Sequence, residues 1–322
     1  MRFKSLISIL ALACSALASA QEYPNRVVTL VVPAAPGGGT DILGRTLAQE
    51  LGQRLKQTVI VDNKAGASGV IGTQAVARAA PDGYTLLLAY SAPIYYAPYM
   101  FPKLPYNVTR DLAVISEIAS NNLILVVNKD VPVKDMKEFM AWANKGKGTL
   151  TYGSIGQGSA GHLAAAYLNN SRNLDMPHVP YKSEGPFAQD LAAGIVPWGM
   201  GTLAPMTPFI QSGKVRPIAV LADKRLPALP DVPTMKEAGF NDPELRSMAW
   251  FVLAAPAHTP QPILDLLERN VREIAQSTAM KARFQTLGLE PVAGSAKDFL
   301  RNYEATGPVI KKLVEISGAR ME

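Results

Sequence analysis

The chain carries one cysteine in 322 residues, Cys14, and it lies in an apolar stretch near the N-terminus. Beyond that stretch there is no disulfide to form, no thiol nucleophile and no thiolate to bind a metal. Histidine is nearly as scarce. His162, His178 and His258 are the only three, widely spaced, and no pair has metal-ligand spacing, so no metal centre is expected. No Gly-x-x-x-x-Gly-Lys-Ser/Thr occurs, which removes a nucleotide P-loop, and the glycines that are present lack the full dinucleotide fingerprint. No cofactor is expected. Past the N-terminus no apolar run approaches the roughly eighteen residues of a membrane span. Basic residues outnumber acidic ones 32 to 26, giving a net charge of +6 and a pI of about 9.3. They are scattered rather than clustered, so nucleic acid is not an expected partner, although the mild positive field draws small anions.

What remains is a folded globular composition, 48% hydrophobic and 18% charged, long enough for one large domain or two ordinary ones. The N-terminus has the form of an export signal. Arg2 and Lys4 precede an apolar run over residues 6–13, and Ala18-Ser19-Ala20 is a small-residue cleavage pattern, so residues 1–20 are expected to be removed. A lipoprotein reading at Ala11-Leu12-Ala13-Cys14 is disfavoured by alanine where leucine is usual and by the apolar stretch beyond it. The mature protein is expected to be exported and soluble.

The rest is organised around residues 27–45. A β-branched run over 27–32 predicts a buried strand, which Pro33 and Pro36 stop. Gly37, Gly38 and Gly39 follow, and Thr40 or Asp41 can cap a helix whose Leu43, Leu47, Leu51 and Leu55 form one stripe. Such a turn lets backbone N–H groups approach an anion at a helix N-terminus, although many α/β proteins use glycine there merely to turn. Further strands are predicted at 58–61, 85–89 and 123–127, with helices between, which gives a parallel sheet with ligand sites at the strands' carboxyl ends. Residues 90–101, YSAPIYYAPYMF, form an aromatic, proline-broken loop that either lines a pocket or covers a sheet end. The opening pattern then recurs. Residues 150–152 make a strand, 153–159 a glycine and hydroxyl turn, and 160–168 a helix, which suggests two similar α/β lobes, each aiming a helix N-terminus at the space between them.

Candidate chemistry is thin. Ser159 and His162 share a helix face and can be imagined as a hydrolase dyad, but residue 157 is Gln where a nucleophile elbow needs Gly, and packing of His162 under the loop is the favoured reading. Lys182 can pair with an anion or simply face water. Asp41 would repel an anion, so it is read as a cap that shapes the turn or as an acceptor for a water or ligand hydroxyl. A site rich in fixed donors and poor in reactive groups suits reversible binding of a carboxylate.

These residues resemble the tripartite tricarboxylate transporter substrate-binding family, the Bug receptors. The resemblance rests on Val31-Val-Pro33 with Pro36-Gly-Gly-Gly-Thr-Asp41, Val61-Asp-Asn-Lys-Ala-Gly66, Pro81-Asp-Gly-Tyr-Thr-Leu86, Leu104-Pro-Tyr106, Tyr152-Gly-Ser154, Gly156-Gln-Gly-Ser159, His178-Val-Pro-Tyr-Lys182 and Leu229-Pro-Asp-Val-Pro-Thr234. It implies an α/β, two-lobed periplasmic binding protein of type II form, with a cleft between two parallel-rich sheets flanked by helices. The expected lobes are 21–121 with 226–322, and 122–225. It implies that the ligand carboxylate is held by Gly38, Gly39, Thr40 and Asp41 from one turn and by Gly156, Gly158, Ser159 and Ala160 from the other. Ser91, Ala92, Ser154, Tyr181 and Lys182 complete the expected set. It also implies a monomeric, non-enzymatic receptor in the periplasm that delivers an organic carboxylate to the membrane permease subunits of a secondary transporter, or, alternatively, reports it to a membrane kinase. The chain departs from the family at Pro93-Ile94 and Ala97, where polar residues are common. This disfavours a heavily hydroxylated, citrate-like ligand and favours an aromatic or otherwise apolar carboxylate, and a dicarboxylate stands beside an aromatic acid as an expected ligand.

Overall fold

In the strand over Val28–Val32, named β1, every residue but Thr29 is buried, which is what a short Val/Leu run at the centre of a sheet requires. The structure, a computed structural model, describes residues 23–246 and 249–320; the expected export signal and Cys14 lie outside them. From β1 the chain runs through α1 (Gly39–Leu55), β2 (Val59–Asn63), α2 (Val70–Ala77) and β3 (Thr85–Ala89). A π-helical turn over Ala92–Tyr96 leads into α3 (Ala97–Met100), and α4 (Val108–Asp111), β4 (Leu112–Asn121) and β5 (Leu123–Asn128) follow. Next come α5 (Met136–Lys145), β6 (Tyr152–Ser154), α6 (Ala160–Ser171), β7 (His178–Pro180), α7 (Glu184–Ala193), β8 (Trp198–Thr202), α8 (Leu203–Gln211) and β9 (Val215–Leu221). The chain ends with β10 (Trp250–Pro256), α9 (Gln261–Ala275), α10 (Thr278–Leu287), β11 (Leu289–Ser295) and α11 (Ala296–Ser317).

Two sheets result, ordered β11-β4-β10-β3-β1-β2 and β7-β6-β8-β5-β9. Each is mixed. β2-β1-β3 and β7-β6-β8 are parallel, as the strand–helix alternation predicts, whereas β10, β4 and β11 in one sheet and β5 and β9 in the other pair antiparallel. The antiparallel half arises where the chain changes sheet. β4 passes into β5 across Asn122 alone, and residues 222–249 carry it back. β4 itself is absent from the sequence reading because Ser116 and Glu117 interrupt its apolar pattern, yet both are buried.

Strand alternation sorts the core into three layers. Val28, Leu30 and Val32 pack outward on Leu43, Leu47 and Leu51 of α1, the predicted stripe, and on α9. Val31 and Leu87 face the other way, into a central layer shared with Leu125, Trp198 and Met200 of the second sheet and with α6 and α11. Ile124 and Val126 pack on the far side against Phe187 and Leu191 of α7 and Met206 of α8. The last helix starts as predicted, with a capping box in which Ser295 and Asp298 satisfy each other's backbone N–H. It begins beside β11 of the first sheet, yet packs along α6 of the second, where Asn170 Nδ2 donates to Ile316 O at 3.3 Å.

The stretch expected as an irregular aromatic loop is ordered instead. Residues 92–96 wind into a π-helical turn with all five side chains buried, which Pro93 tolerates because it stands in the first turn, where no backbone donor is missed.

Candidate functional site

Both recurring strand–turn–helix segments arrive at one cleft. In the first, Gly37 takes φ +80° and Gly38 enters α1 from an extended conformation without a side chain to cap it. The first-turn N–H groups of Gly39, Thr40 and Asp41 are beyond the reach of intrahelical acceptors and have no side-chain cap. Asp41 does not face the cleft. Its buried carboxylate accepts from Gly37 N at 2.8 Å, Asn63 Nδ2 at 2.9 Å and Arg45 Nε at 3.0 Å, tying the turn to the end of β2. Burial would raise its pKa, but the hydrogen bonds from Arg45, Gly37 and Asn63 outweigh it and hold the carboxyl below its ordinary value.

The second turn is built on neutral groups. Ser159 caps α6, accepting from His162 N at 3.2 Å and donating to Gly156 O at 2.8 Å. Gly156 and Gly158 have φ of +111° and +76°, which a side chain would strain. Gly158 N–H donates to Nδ1 of His162 at 3.2 Å, so that nitrogen carries no proton. The His162 ring lies 4.2 Å from that of His178, whose Nε2 is 2.7 Å from Ser154 Oγ. Burial pushes both histidines down to about 4, with His178 adding to the effect on His162, so both rings are neutral near pH 7. Because Ser159 is spent on the cap and His162 on the loop backbone, the imagined Ser159–His162 dyad is not formed. Ala160 and Gly161 keep their first-turn N–H groups for the cleft. Gly161 also allows the helix to sit close: a Cβ there would lie 2.3 Å from Met200 O of β8.

The cleft between the sheets has a volume of about 270 Å³. Of the expected residues, Gly39, Thr40, Ser91, Ala92, Ser159 and Ala160 line it together. The others do not. Gly38 precedes the wall as the N-cap, Asp41 is turned into its own network, and Ser154, Gly156 and Gly158 support the second turn from behind. Tyr181 packs on Phe187 and donates its hydroxyl to Asp190 Oδ2 at 2.9 Å, and Lys182 stands exposed away from the wall. Even Ser91 lends only its position, since its hydroxyl accepts from Trp250 N at 2.5 Å and donates to Trp250 O at 3.2 Å.

Of the remaining wall, Tyr90 and Tyr96 come from the aromatic stretch 90–101, for which pocket lining is one of two expectations, and the other residues carry no sequence signal. Tyr90, Tyr96, Trp250 and Phe251 from one side and Leu123, Ile155, Met200 and Thr202 from the other make most of it apolar. Burial pushes the Tyr90 hydroxyl up to about 12 and raises that of Tyr96 as well, so both stay neutral donors. Glu184, in the first turn of α7, also lines the cleft. Its Oε1 accepts from Thr202 Oγ1 at 2.6 Å and Thr202 N at 3.3 Å. Burial raises its pKa against the opposing pull of those two bonds. No lysine, arginine or histidine lines the cleft among the described residues, and no group of three potential metal ligands occurs among them. Nor is any described helix long and apolar enough to cross a membrane.

Residues 43–316 match the family model described as the tripartite tricarboxylate transporter family receptor. The chain is 37% identical over 275 residues to Protein BugT of Bordetella pertussis, covering 85% of this chain and 84% of that one. Among solved structures it is similar to Rpa4515 of R. palustris, determined with adipate, at TM-score 0.81 and 32% identity over 92% of this chain and 99% of the other. It is also similar to MatC of Rhodopseudomonas palustris, determined with bound malate, at TM-score 0.77 and 30% identity over 91% of this chain and 100% of the other.

Proposed function

Because the chain belongs to the tripartite tricarboxylate transporter family of receptors, we propose that it is a periplasmic solute receptor. In this reading it captures an organic carboxylate in the cleft and releases it unaltered to the permease subunits of a secondary transporter. One observation carries the reading: two helix N-termini bring unspent main-chain N–H donors to a single cleft where the described residues offer neither a cationic clamp nor an organised nucleophile. Partial positive charge at a helix start suits an anionic head group, and fixed donors need no reorganisation when it arrives. Carboxylates bound in two related structures, adipate and malate, support the same chemistry. The wall formed by Tyr90, Tyr96, Leu123, Met200, Trp250 and Phe251 favours a carboxylate with an apolar or aromatic body.

On this reading residues 1–20 are an export signal removed after Ala20. Residues 21–121 with 226–322, and 122–225, act as the two lobes that close on the ligand, with α11 bridging them. Ligand-dependent stabilisation tests the function directly, since a solute bound only by the folded form raises the melting temperature. A panel of aliphatic and aromatic carboxylates is expected to include saturable stabilisers, and no shift with any of them would overturn the reading. Gly39→Val separates binding from folding. A Cβ at residue 39 meets nothing within 4 Å, so the fold should persist while the new side chain crowds the cleft. Calorimetry is expected to show at least a tenfold loss of affinity; unchanged affinity would remove this turn from the site.

A further inference from the structure

Glu184 is out of place in a cleft meant for anions. Among the described residues it is the one aspartate or glutamate in the wall, and no basic side chain faces it there. Its structural duty is limited to the Thr202 N–H and hydroxyl, both of which bond to the same oxygen, Oε1. A glutamine would do that equally well through its own Oε1. What the carboxylate adds is charge and a second acceptor, Oε2, which makes no hydrogen bond among the described residues. The carboxyl sits at the start of α7 and against Thr202, the N-cap residue of α8; burial works against its charge, while the two Thr202 bonds and the partial positive ends of two helices favour it. The remaining charged groups near this corner are outside the wall: Lys182 is exposed, and Asp190 is bonded to Tyr181.

The cleft is therefore electrostatically divided. The N-termini of α1 and α6 present donors, while Glu184 presents an acceptor with negative charge, and about 270 Å³ separates and contains them both. A dicarboxylate held at the donor turns brings a second negative charge into the same small volume as Glu184, with no cation to offset it. Like charges in a partly desolvated site repel strongly, whereas an ammonium group in the same place completes an ion pair. The Tyr90 and Tyr96 hydroxyls, both neutral, cannot compensate for either charge. Resting on the carboxylate reading above, we propose that Glu184 is a specificity-determining residue that makes this cleft a receptor for zwitterions, carboxylates bearing an amino group at their other end, and turns dicarboxylates away.

Matched ligands test this with geometry held nearly constant. One set comprises monoacids, diacids and ω-amino acids of equal chain length from four to seven carbons; the other comprises benzoate, terephthalate and 4-(aminomethyl)benzoate. Titration calorimetry on the mature wild-type protein is expected to show the best-fitting amino acid bound at least tenfold tighter than the diacid of the same skeleton. Glu184→Gln keeps both Thr202 bonds and is expected to lose at least tenfold on the amino acid, gain on the diacid and leave the monoacid within threefold. A wild-type protein that prefers the diacid, or a ratio unchanged by E184Q, overturns the proposal while leaving carboxylate binding intact. If no member of either set binds, monoacids included, the carboxylate reading itself falls and the proposal with it. Should E184Q fold poorly, the wild-type ratio of amino acid to diacid decides the matter alone.

Discussion

The two donor turns look alike in sequence and are held by opposite chemistries. Each is a strand, a glycine-rich bend and a helix start. The first is braced by charge: Asp41 gathers the Gly37 N–H, the Asn63 amide and the Arg45 guanidinium around one buried carboxylate. The second is braced by neutral rings: His162 accepts from Gly158, stacks on His178, and His178 meets Ser154. The caps differ in the same sense. Gly38 leaves the start of α1 open, whereas Ser159 occupies one donor of α6 and leaves the rest. In this chain two differently braced turns thus bring main-chain N–H groups to the same cleft. The practical consequence is that the two turns can be broken separately.

The largest effect is expected on the second turn at Gly161. In Gly161→Val the new Cβ would overlap Met200 O at 2.3 Å, so α6 must lift from β8. Overpacking of this kind costs about 1–3 kcal/mol. Urea unfolding should register the loss, and calorimetry should find ligand affinity reduced by more than the stability change explains, because the donors move with the helix. On the first turn, Asp41→Ala removes the shared acceptor and is expected to cost about 1–3 kcal/mol by leaving donors unpaired. Arg45→Ala should cost no more than about 1 kcal/mol, since that side chain is 56% exposed and water replaces it. If the two variants prove equally destabilising, the brace is the ion pair and not the carboxylate's hydrogen bonds.

Acid should separate the turns without mutation. His162 and His178 sit at about 4 in the fold against an ordinary 6.5, so between those values the unfolded chain binds more protons. Their contribution is complete above pH 6.5 and is lost as pH falls toward 4. Asp41, held below 3.8, keeps its contribution until pH drops beneath that value. Amide exchange or backbone NMR is expected to show residues 156–162 loosening first and residues 37–41 only under stronger acid. The reverse order would mean that the histidine pair does not brace its turn. A small effect, about 1 kcal/mol, is expected for Ser154→Ala through the lost contact with His178. That variant should leave the first turn's acid response untouched.

Much of this comparison was legible in the chain itself. Glycines between a β-branched run and a leucine stripe predict a turn at a helix start from local chemistry alone, and Gly39, Thr40, Ser159 and Ala160 do meet at one cleft. The carboxyl-end rule for parallel strands led to those residues and to Ser91 and Ala92. It could not lead to Leu123, Trp250 or Phe251, because β5 and β10 run antiparallel and present their amino ends to the cleft. Glu184 was missed for a different reason. An acid in a first helical turn is ordinary capping chemistry, and nothing local marks one that faces a cavity. Tyr181 and Lys182 follow the second turn in sequence, but Tyr181 is claimed by Asp190 and Phe187, and Lys182 stands exposed outside the cleft wall.

The last helix gives the molecule a built-in strap. It is anchored at one end by the Ser295–Asp298 cap beside β11 and lies along α6 at the other, where Asn170 reaches Ile316 and where Lys312 pairs with Glu244 at 2.6 Å. On the proposal that the two lobes close on a solute, α6 moves along this helix, and the donors at the tip of α6 travel with it. A fluorophore on the final turn of α11, opposite a quencher on the outer face of α6, would therefore report solute capture as a change in brightness, converting the receptor into its own sensor.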